Sequence, residues 1–305
     1  MLHIAARHGR WCLVLGLVAG LLLPGLAEAL RPYLPLMIAA LLFLAAFRIG
    51  PDSIWHGLRS DFSTIKLVAV FQVAMPLTIL GLTHVFGVAG TTAGLAAILV
   101  FAAPSVTGSA NFAMIMGVKP EAALRLLLVG TALFPLTVLP ILLLISEINV
   151  GNVLSASVRL IIVIGVAGGL AFLLRRGRWQ ILTRPQEQSI DGVSAILLGV
   201  VVVGLMSAVG PMLVSTPLSF AMWLAFATAL NIGAQLLVFN SVAKKFAVED
   251  RGSVSVVAGN RNIALFLLAL PSEISFELLS FIGCYQIPMY LTPLLLGRMY
   301  RRVER

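Results

Sequence analysis

The chain has 305 residues, of which 60% are hydrophobic and only 11% are charged. Soluble domains carry about 25% charged residues, so this composition excludes a soluble globular protein and indicates a chain embedded in the lipid bilayer. The formal net charge of +9 does not indicate nucleic-acid binding, because the basic residues lie in short loops and form no basic face with interleaved aromatics. Cys12 and Cys284 both lie in apolar runs and form neither a disulfide framework nor a metal-ligand spacing.

About ten apolar runs follow one another along the chain, each near the roughly 20 residues that a helix needs to cross a membrane. They cover residues 11–27, 34–47, 67–86, 92–116, 122–145, 158–174, 190–209, 218–242, 253–270 and 276–296. The first run also has the features of a signal peptide, because residues 26–29 resemble a small-residue cleavage site. We interpret it as a helix, since the topology below requires it.

The distribution of Lys and Arg predicts that both termini lie on the cytoplasmic side, because cytoplasmic loops are enriched in these residues. With the N-terminus inside, the inside segments hold most of the 21 basic residues, and Arg31 is the clear exception outside. Arg159 lies near the outer end of the sixth run, where its side chain can reach the membrane surface. We therefore expect an integral protein of a bacterial inner (plasma) membrane.

The ten runs divide into two halves of five, residues 1–150 and residues 151–305. An odd-numbered unit that is repeated in tandem inserts in the opposite orientation the second time, which is the inverted-repeat architecture of secondary transporters. We find no strong sequence identity between the halves, so this prediction depends on the pattern of runs and of polar interruptions. The sequence predicts one all-α integral membrane domain of about ten helices in two inverted five-helix repeats, without a soluble domain.

The fourth run is interrupted by the helix-breaking, polar segment 103–111, which contains Pro104, Thr107, Gly108, Ser109 and Asn111. Proline removes a backbone donor, and the lipid cannot hydrogen-bond the groups that a broken helix exposes. Such segments are tolerated where they line a cavity, in which carbonyls can take a cation and helix N-termini can face an anion. A simple proline kink is the alternative, and a second interruption in the ninth run favours a binding site.

The ninth run contains the consecutive residues Asn260, Arg261 and Asn262. A charged side chain at membrane depth costs roughly 3 kcal/mol or more unless it faces a cavity or a partner. No Asp or Glu lies in the middle of any run, and a guanidinium is well suited to a carboxylate. Two interpretations remain open: Arg261 contacts an anionic substrate, or it satisfies exposed carbonyls and replaces a cation structurally.

Further polar side chains lie inside apolar runs. In the eighth run Asn231 and Gln235 are four residues apart, which places them on one helix face. Gln72 lies in the third run. Each of these side chains either lines the same cavity as the interruptions or forms an interhelical hydrogen bond.

At the two interruptions the sequence resembles the bile acid:sodium symporter family. The segment 104–111 is similar to the Pro-Gly-Gly-x-Ala-Ser-Asn pattern of that family, although it is one residue longer. The family pattern Glu-x-Gly-x-Gln-Asn falls on Val257, Gly259, Arg261 and Asn262. Asn231 before a Leu-Leu pair and Gln72 before a Met-Pro pair also look similar. The resemblance implies two inverted halves in which the fourth and ninth helices are broken and cross each other.

The resemblance also implies candidate ligands for a coupling cation, although the sequence departs from the family at two further ligand positions. By analogy the candidates are Ser109, Asn111, Thr131 and Gln72. Sodium-coupled members use a glutamate and a glutamine of the ninth span, and here Val257 and Arg261 stand at those positions. A guanidinium there would repel sodium and could substitute for it. The sequence implies no other cofactor and leaves coupling to Na⁺ open.

The leading hypothesis is a secondary active transporter that moves a small organic anion by alternating access and is not an enzyme. Its predicted substrate contacts are Thr107, Ser109, Asn111, Asn231, Asn260, Arg261 and Asn262. The alternatives are a sodium-independent carrier similar to the auxin-efflux carriers, a channel and an integral-membrane enzyme. Arsenite permeases share the layout but use a cysteine in the fourth span, and segment 102–111 contains none. The sequence does not specify the substrate, the direction of transport or the oligomeric state.

Overall fold

The computed structural model describes residues 2–7, 9–50, 62–145, 150–176, 179, 181–241 and 248–303. Within these residues every regular element is helical, and seven helical segments are long and apolar enough to cross a membrane. These segments are Pro24–Ile49, Ser63–Val85, Glu121–Leu143, Gly151–Arg176, Arg184–Ser215, Pro217–Asn240 and Ser272–Tyr300. The chain is therefore an all-α membrane protein. Arg59, Arg178, Lys244 and Lys245, which lie in predicted cytoplasmic loops, are outside the described residues.

The first half of the chain contains helices α1 to α9. They are α1 Leu2–Arg7, α2 Gly9–Leu22, α3 Pro24–Leu30, α4 Leu34–Ile49, α5 Phe62–Ala69, α6 Met75–Val85, α7 Thr92–Ala102, α8 Ser109–Met116 and α9 Glu121–Leu143. A 3₁₀ turn, Arg31–Tyr33, joins α3 to α4. A π-helical turn, Val70–Ala74, joins α5 to α6.

The second half contains helices α10 to α16. They are α10 Val150–Arg176, α11 Arg184–Leu205, α12 Val209–Ser215, α13 Pro217–Asn240, α14 Val248–Gly259, α15 Ser272–Leu295 and α16 Gly297–Val303. A 3₁₀ helix, Ile263–Leu268, lies between α14 and α15. The predicted end of the first half, residue 150, is the first residue of α10.

Three of the predicted apolar runs form helices too short to count among the seven. The first run is α2, whose apolar part is Trp11–Leu22. The fourth run is divided between α7 and α8, and the ninth between α14 and the 3₁₀ helix. The physical reason for the two divisions is local: a polar, helix-breaking segment ends each helix before it reaches the roughly 20 residues that a crossing requires.

The long helices form two groups, which are joined by the packing of α9 against α10. In the first group α11 packs along α2 and α4, and α10 packs along α4. In the second group α9 packs against α5 and α14, and α13 packs against α14 and α15. The 3₁₀ helix after α14 also contacts α4. Both polar interruptions belong to the second group, and α4 and α11 of the first group lie beside them.

Glycines allow α2 and α11 to approach each other closely. A Cβ atom at Gly16 would contact the backbone carbonyl oxygen of Gly199, and one at Gly199 would lie 2.9 Å from the carbonyl oxygen of Cys12. Small residues at helix contacts are characteristic of membrane proteins, because van der Waals packing replaces the hydrophobic effect there. Helices α2 and α11 are therefore in close backbone-to-backbone contact.

Replacing Gly16 with leucine should force α2 away from α11. We expect Gly16→Leu to lower the free energy of unfolding by about 1–3 kcal/mol, the usual cost of overpacking. Gly165→Leu in α10 is the matched control, because nothing lies within 4 Å of a Cβ atom at that position. Unfolding of the purified protein in mixed micelles measures both variants. Equal stabilities of the two variants would contradict the close contact of α2 with α11.

Candidate functional site

The chain leaves the helical conformation at both interruptions predicted from the sequence. Helix α7 ends at Ala102, and Ala103 adopts an extended conformation with φ −62° and ψ 150° before Pro104. Helix α14 ends at Gly259, and Asn262 has φ −88° and ψ 63° before the 3₁₀ helix. We call residues 103–108 and 260–262 together the crossing.

The two segments of the crossing hydrogen-bond to each other. The Val106 N–H donates to the Asn260 carbonyl at 2.9 Å, and the Asn262 N–H donates to the Pro104 carbonyl at 2.8 Å. These bonds form an isolated antiparallel bridge. At membrane depth such pairing supplies the partners that lipid cannot provide. Each interruption therefore satisfies part of the backbone of the other.

The side chain of Arg261 is buried beneath the crossing, with only 1% of its surface exposed. Its Nη2 atom donates to the carbonyl oxygens of Phe71, at 2.5 Å, and Phe101, at 2.8 Å. Its Cζ atom lies 5.4 Å from the centroid of the Phe71 ring, within the range of a cation–π contact. In this conformation the guanidinium satisfies exposed carbonyls, which is one of the two interpretations that the sequence left open.

The charge of Arg261 has no ionic partner among the residues that the structure describes. No acidic side chain is buried in that part of the chain, and the Nε atom of Arg261 has no hydrogen-bond partner. The observed ion pairs join Arg48 to Glu187 and to Asp191, and Arg125 to Asp250. The crossing therefore carries an uncompensated positive charge. A buried charge without a counter-charge is costly in free energy.

A small cavity of about 30 Å³ lies between the two groups of helices. Its polar lining comes from the crossing and α15: Thr107, Arg261, Asn262, Gln286 and Tyr290. Its apolar lining includes residues of α4 and α11: Ile38, Leu41, Leu42, Leu198, Val201 and Leu205. The volume corresponds to about two water molecules, so the space is too small for an organic anion in this conformation.

Asn231 and Asn260 form a buried network rather than part of the cavity lining. The Asn231 Nδ2 atom donates to the Gly259 carbonyl at 2.5 Å and lies 3.3 Å from Asn260 Oδ1. Gln235 Nε2 donates to Asn231 Oδ1 at 2.9 Å, and Thr292 Oγ1 donates to Asn260 Oδ1 at 3.2 Å. All of these side chains are fully buried. The network joins α13, α14 and α15, which is the interhelical role that the sequence also allowed.

Gln72 contacts α9, the first long helix after the first interruption. Its Oε1 atom accepts a hydrogen bond of 2.7 Å from Thr137 Oγ1 of α9. A Cβ atom at Gly130 would lie 2.6 Å from Gln72 Nε2, so the glutamine lies directly against the backbone of α9. Thr131, the neighbouring hydroxyl that the resemblance assigns to a cation, is half-buried on α9. Gln72 therefore binds α9 through Thr137 and not through Thr131.

Ser109 and Asn111, both at the start of α8, differ in their surroundings. Ser109 is fully buried, and its Oγ atom accepts a hydrogen bond of 2.8 Å from Ser105 Oγ. The side chain of Asn111 is exposed. Among the described residues, no hydrogen bond joins Gln72, Ser109, Asn111 and Thr131 to one another. The structure brings Thr107, Arg261 and Asn262 to the cavity and leaves Asn111 outside it.

The sequence interpretation missed the contribution of α15 to the cavity. Gln286 and Tyr290 lie one helical turn apart and both line it, and Gln286 is only 3% exposed. A glutamine inside an apolar run is the same kind of signal that singled out Gln72. This signal was present in the sequence. The sequence does not show, however, toward which neighbouring helix the side chain of a single polar residue points.

The residues that are present do not fit a sodium ion. Val257, at the position that the resemblance assigns to an acid, is a buried aliphatic side chain. The guanidinium of Arg261 occupies the other position and already holds two carbonyls. A fixed positive charge repels a second cation strongly in a medium of low dielectric constant. The glutamate and the glutamine that the resemblance assigns to a sodium ion are therefore replaced by a neutral and a positive side chain.

Comparisons with known proteins assign no family to the chain. No protein-family model matches it, and no curated protein matches its sequence. The resemblance to the bile acid:sodium symporter family stays a prediction.

Removing the amide of Asn231 should weaken the contact between α13 and α14. We expect Asn231→Leu to lower the free energy of unfolding by about 1–3 kcal/mol, because the Gly259 carbonyl and Asn260 lose a buried donor. Asn240→Leu on the same helix is the matched control: its side chain is exposed and donates only to Leu236. Thermal unfolding in detergent compares the two, and equal midpoints would contradict a stabilising role for the network.

Proposed function

We propose that the protein is a secondary active transporter that carries small organic anions by alternating access. The observation that supports this most directly is the guanidinium of Arg261, which is buried at a cavity with no buried carboxylate among the described residues. A carboxylate or sulfonate in that cavity would compensate the charge, and hydrogen bonds between ionised groups are the strong ones. Thr107, Asn262, Gln286 and Tyr290 would supply the neutral polar contacts.

The position of the cavity between two groups of helices supports the alternating-access mechanism. The polar wall belongs to the group that contains the crossing, and the apolar wall belongs to α4 and α11. Carriers with inverted repeats move one bundle against the other around a fixed central site. In the proposed cycle, α4 and α11 move away from the crossing and enlarge a space that is too small for a substrate in the present conformation.

A recurrence in the sequence supports two repeats, residues 1–150 and residues 151–305. Helices α9 and α15 each follow an interrupted helix, and each carries a glycine and two prolines with the same spacing. These residues are Gly130, Pro135 and Pro140 in α9 and Gly283, Pro288 and Pro293 in α15. The proposed topology has ten membrane-spanning segments. They are the seven long helices, α2, the pair α7 and α8, and α14 with its 3₁₀ helix.

Five membrane-spanning segments in each repeat would place the second repeat upside down relative to the first. Both termini would then lie on the same side of the membrane. The excess of Lys and Arg in the predicted inside segments makes that side the cytoplasm of a bacterial plasma membrane. This arrangement is that of the bile acid:sodium symporter family and of the auxin-efflux-like carriers. An organic anion is the substrate class that both the resemblance and Arg261 favour.

Uptake of radiolabelled organic anions into proteoliposomes, with and without a sodium gradient, tests the proposal. We expect saturable uptake of at least one carboxylate or sulfonate, and a loss of at least about tenfold in Arg261→Gln, because a hydrogen bond to a charged group contributes about 1.5–3 kcal/mol. Arg251→Gln is the matched control: Arg251 also donates to a backbone carbonyl and lies over a phenylalanine ring, but its partner is Phe239. Wild-type uptake by Arg261→Gln would exclude the anchor role.

A second variant separates the site from the stability of the crossing. Leu41→Trp enlarges the apolar wall of the cavity on α4 and leaves the contacts of Arg261 in place. We expect it to abolish uptake and to keep the thermal midpoint of the wild-type protein within a few degrees. Full uptake by this variant would show that the substrate passes elsewhere.

A further inference from the structure

The two carbonyl groups that Arg261 binds have both lost their usual helical partner. At the end of the π-helical turn the Met75 N–H donates to Val70 rather than to Phe71. The next residue, Pro76, has no N–H to offer, so the Phe71 carbonyl is left without a donor on its own helix. The Phe101 carbonyl lies in the last turn of α7, where the final carbonyls of any helix are unpaired.

The freed carbonyls converge on one nitrogen atom. Phe71 and Phe101 are on different helices, yet both oxygens lie within 2.8 Å of Arg261 Nη2. Unwound or irregular backbone that presents carbonyls inside a membrane protein is the usual way of binding a cation there. In this chain the position between the two oxygens is filled by a nitrogen atom of the chain itself.

We infer that the guanidinium of Arg261 is a built-in cation, and that the carrier therefore works without a sodium ion. Arg261 excludes a metal ion from the position between the two carbonyls by occupying it and by repelling a second positive charge. The inference deepens the proposed function, because it concerns the coupling of the same site. Its binding tests below do not require that transport be shown.

The remaining oxygen ligands that the resemblance assigns to a cation are engaged or distant. Gln72 Oε1 accepts from Thr137, and Ser109 Oγ accepts from Ser105. Asn111 is exposed at the start of α8. Because Gln72 and Ser109 are held in separate hydrogen bonds and Asn111 is exposed, these three side chains do not form a second ligand shell beside Arg261.

The first experiment measures sodium binding by the purified full-length chain. A ligand that binds only the folded state at 100 times its dissociation constant raises the ratio of folded to unfolded protein about 100-fold. We expect no such stabilisation when sodium chloride replaces N-methylglucamine chloride at equal ionic strength, and no saturable binding of radiolabelled sodium. A sodium-dependent increase in the unfolding midpoint, or saturable sodium binding, would overturn the inference.

The second experiment removes the built-in cation and supplies a free one. Arg261→Ala should lower the unfolding midpoint, and methylguanidinium should restore part of the loss by filling the position between the two carbonyls. Arg251→Ala is the matched control, because Arg251 is only half-buried and holds a single carbonyl, so we expect no recovery there. Recovery of neither variant, or of both equally, would overturn the inference.

The two proposals can fail separately. Sodium binding by the wild-type protein would overturn the built-in cation and leave anion transport standing. Conversely, wild-type protein that transports no anion of the panel, yet shows the expected ion results, would exclude the proposed function and keep the role of Arg261 at the crossing. Anion uptake that is equal with and without a sodium gradient would support both.

Discussion

The structure depends on one constraint: polypeptide that leaves the helical conformation inside a bilayer must find partners for its backbone within the protein. The two interruptions supply partners to each other through the bonds Val106–Asn260 and Asn262–Pro104. The carbonyls that remain are bound by Arg261, whose side chain extends from one interruption toward the end of α7 and the π turn. These contacts hold the end of α7 and the π turn against the segment that follows α14.

The parts of this fold that were predictable from the sequence are those set by local chemistry. Length and composition indicate the long helices, and Pro104 and the polar residues after Gly259 mark where two helices end. The partners of Arg261 were not predictable, because Phe71 and Phe101 are apolar residues whose backbone, not side chain, does the binding. Their carbonyls become available only because a π turn and a helix end meet in space.

The candidate site shows the same limit for polar side chains. Asn231 and Asn262 are the same residue type and both belong to apolar runs, yet Asn231 is fully buried in a network and Asn262 lines the cavity. Gln286 was overlooked although it lines the cavity as well. The sequence shows that a membrane helix contains a polar side chain. The direction in which that side chain points depends on the packing of the neighbouring helices.

The surroundings of Arg261 are compatible with the proposed carrier both with and without its substrate. Two carbonyls and a ring face solvate the guanidinium in the absence of a substrate, so the crossing can fold around a buried charge. These partners are neutral, and the Nε atom has none, so the charge is solvated without being neutralised. In the proposed carrier, an anionic substrate would supply the counter-charge that the protein lacks. The two carbonyls already solvate the guanidinium, so they would limit the free energy gained when that anion binds. Binding that is favourable but limited is what a carrier requires, because it must release its substrate on the other side.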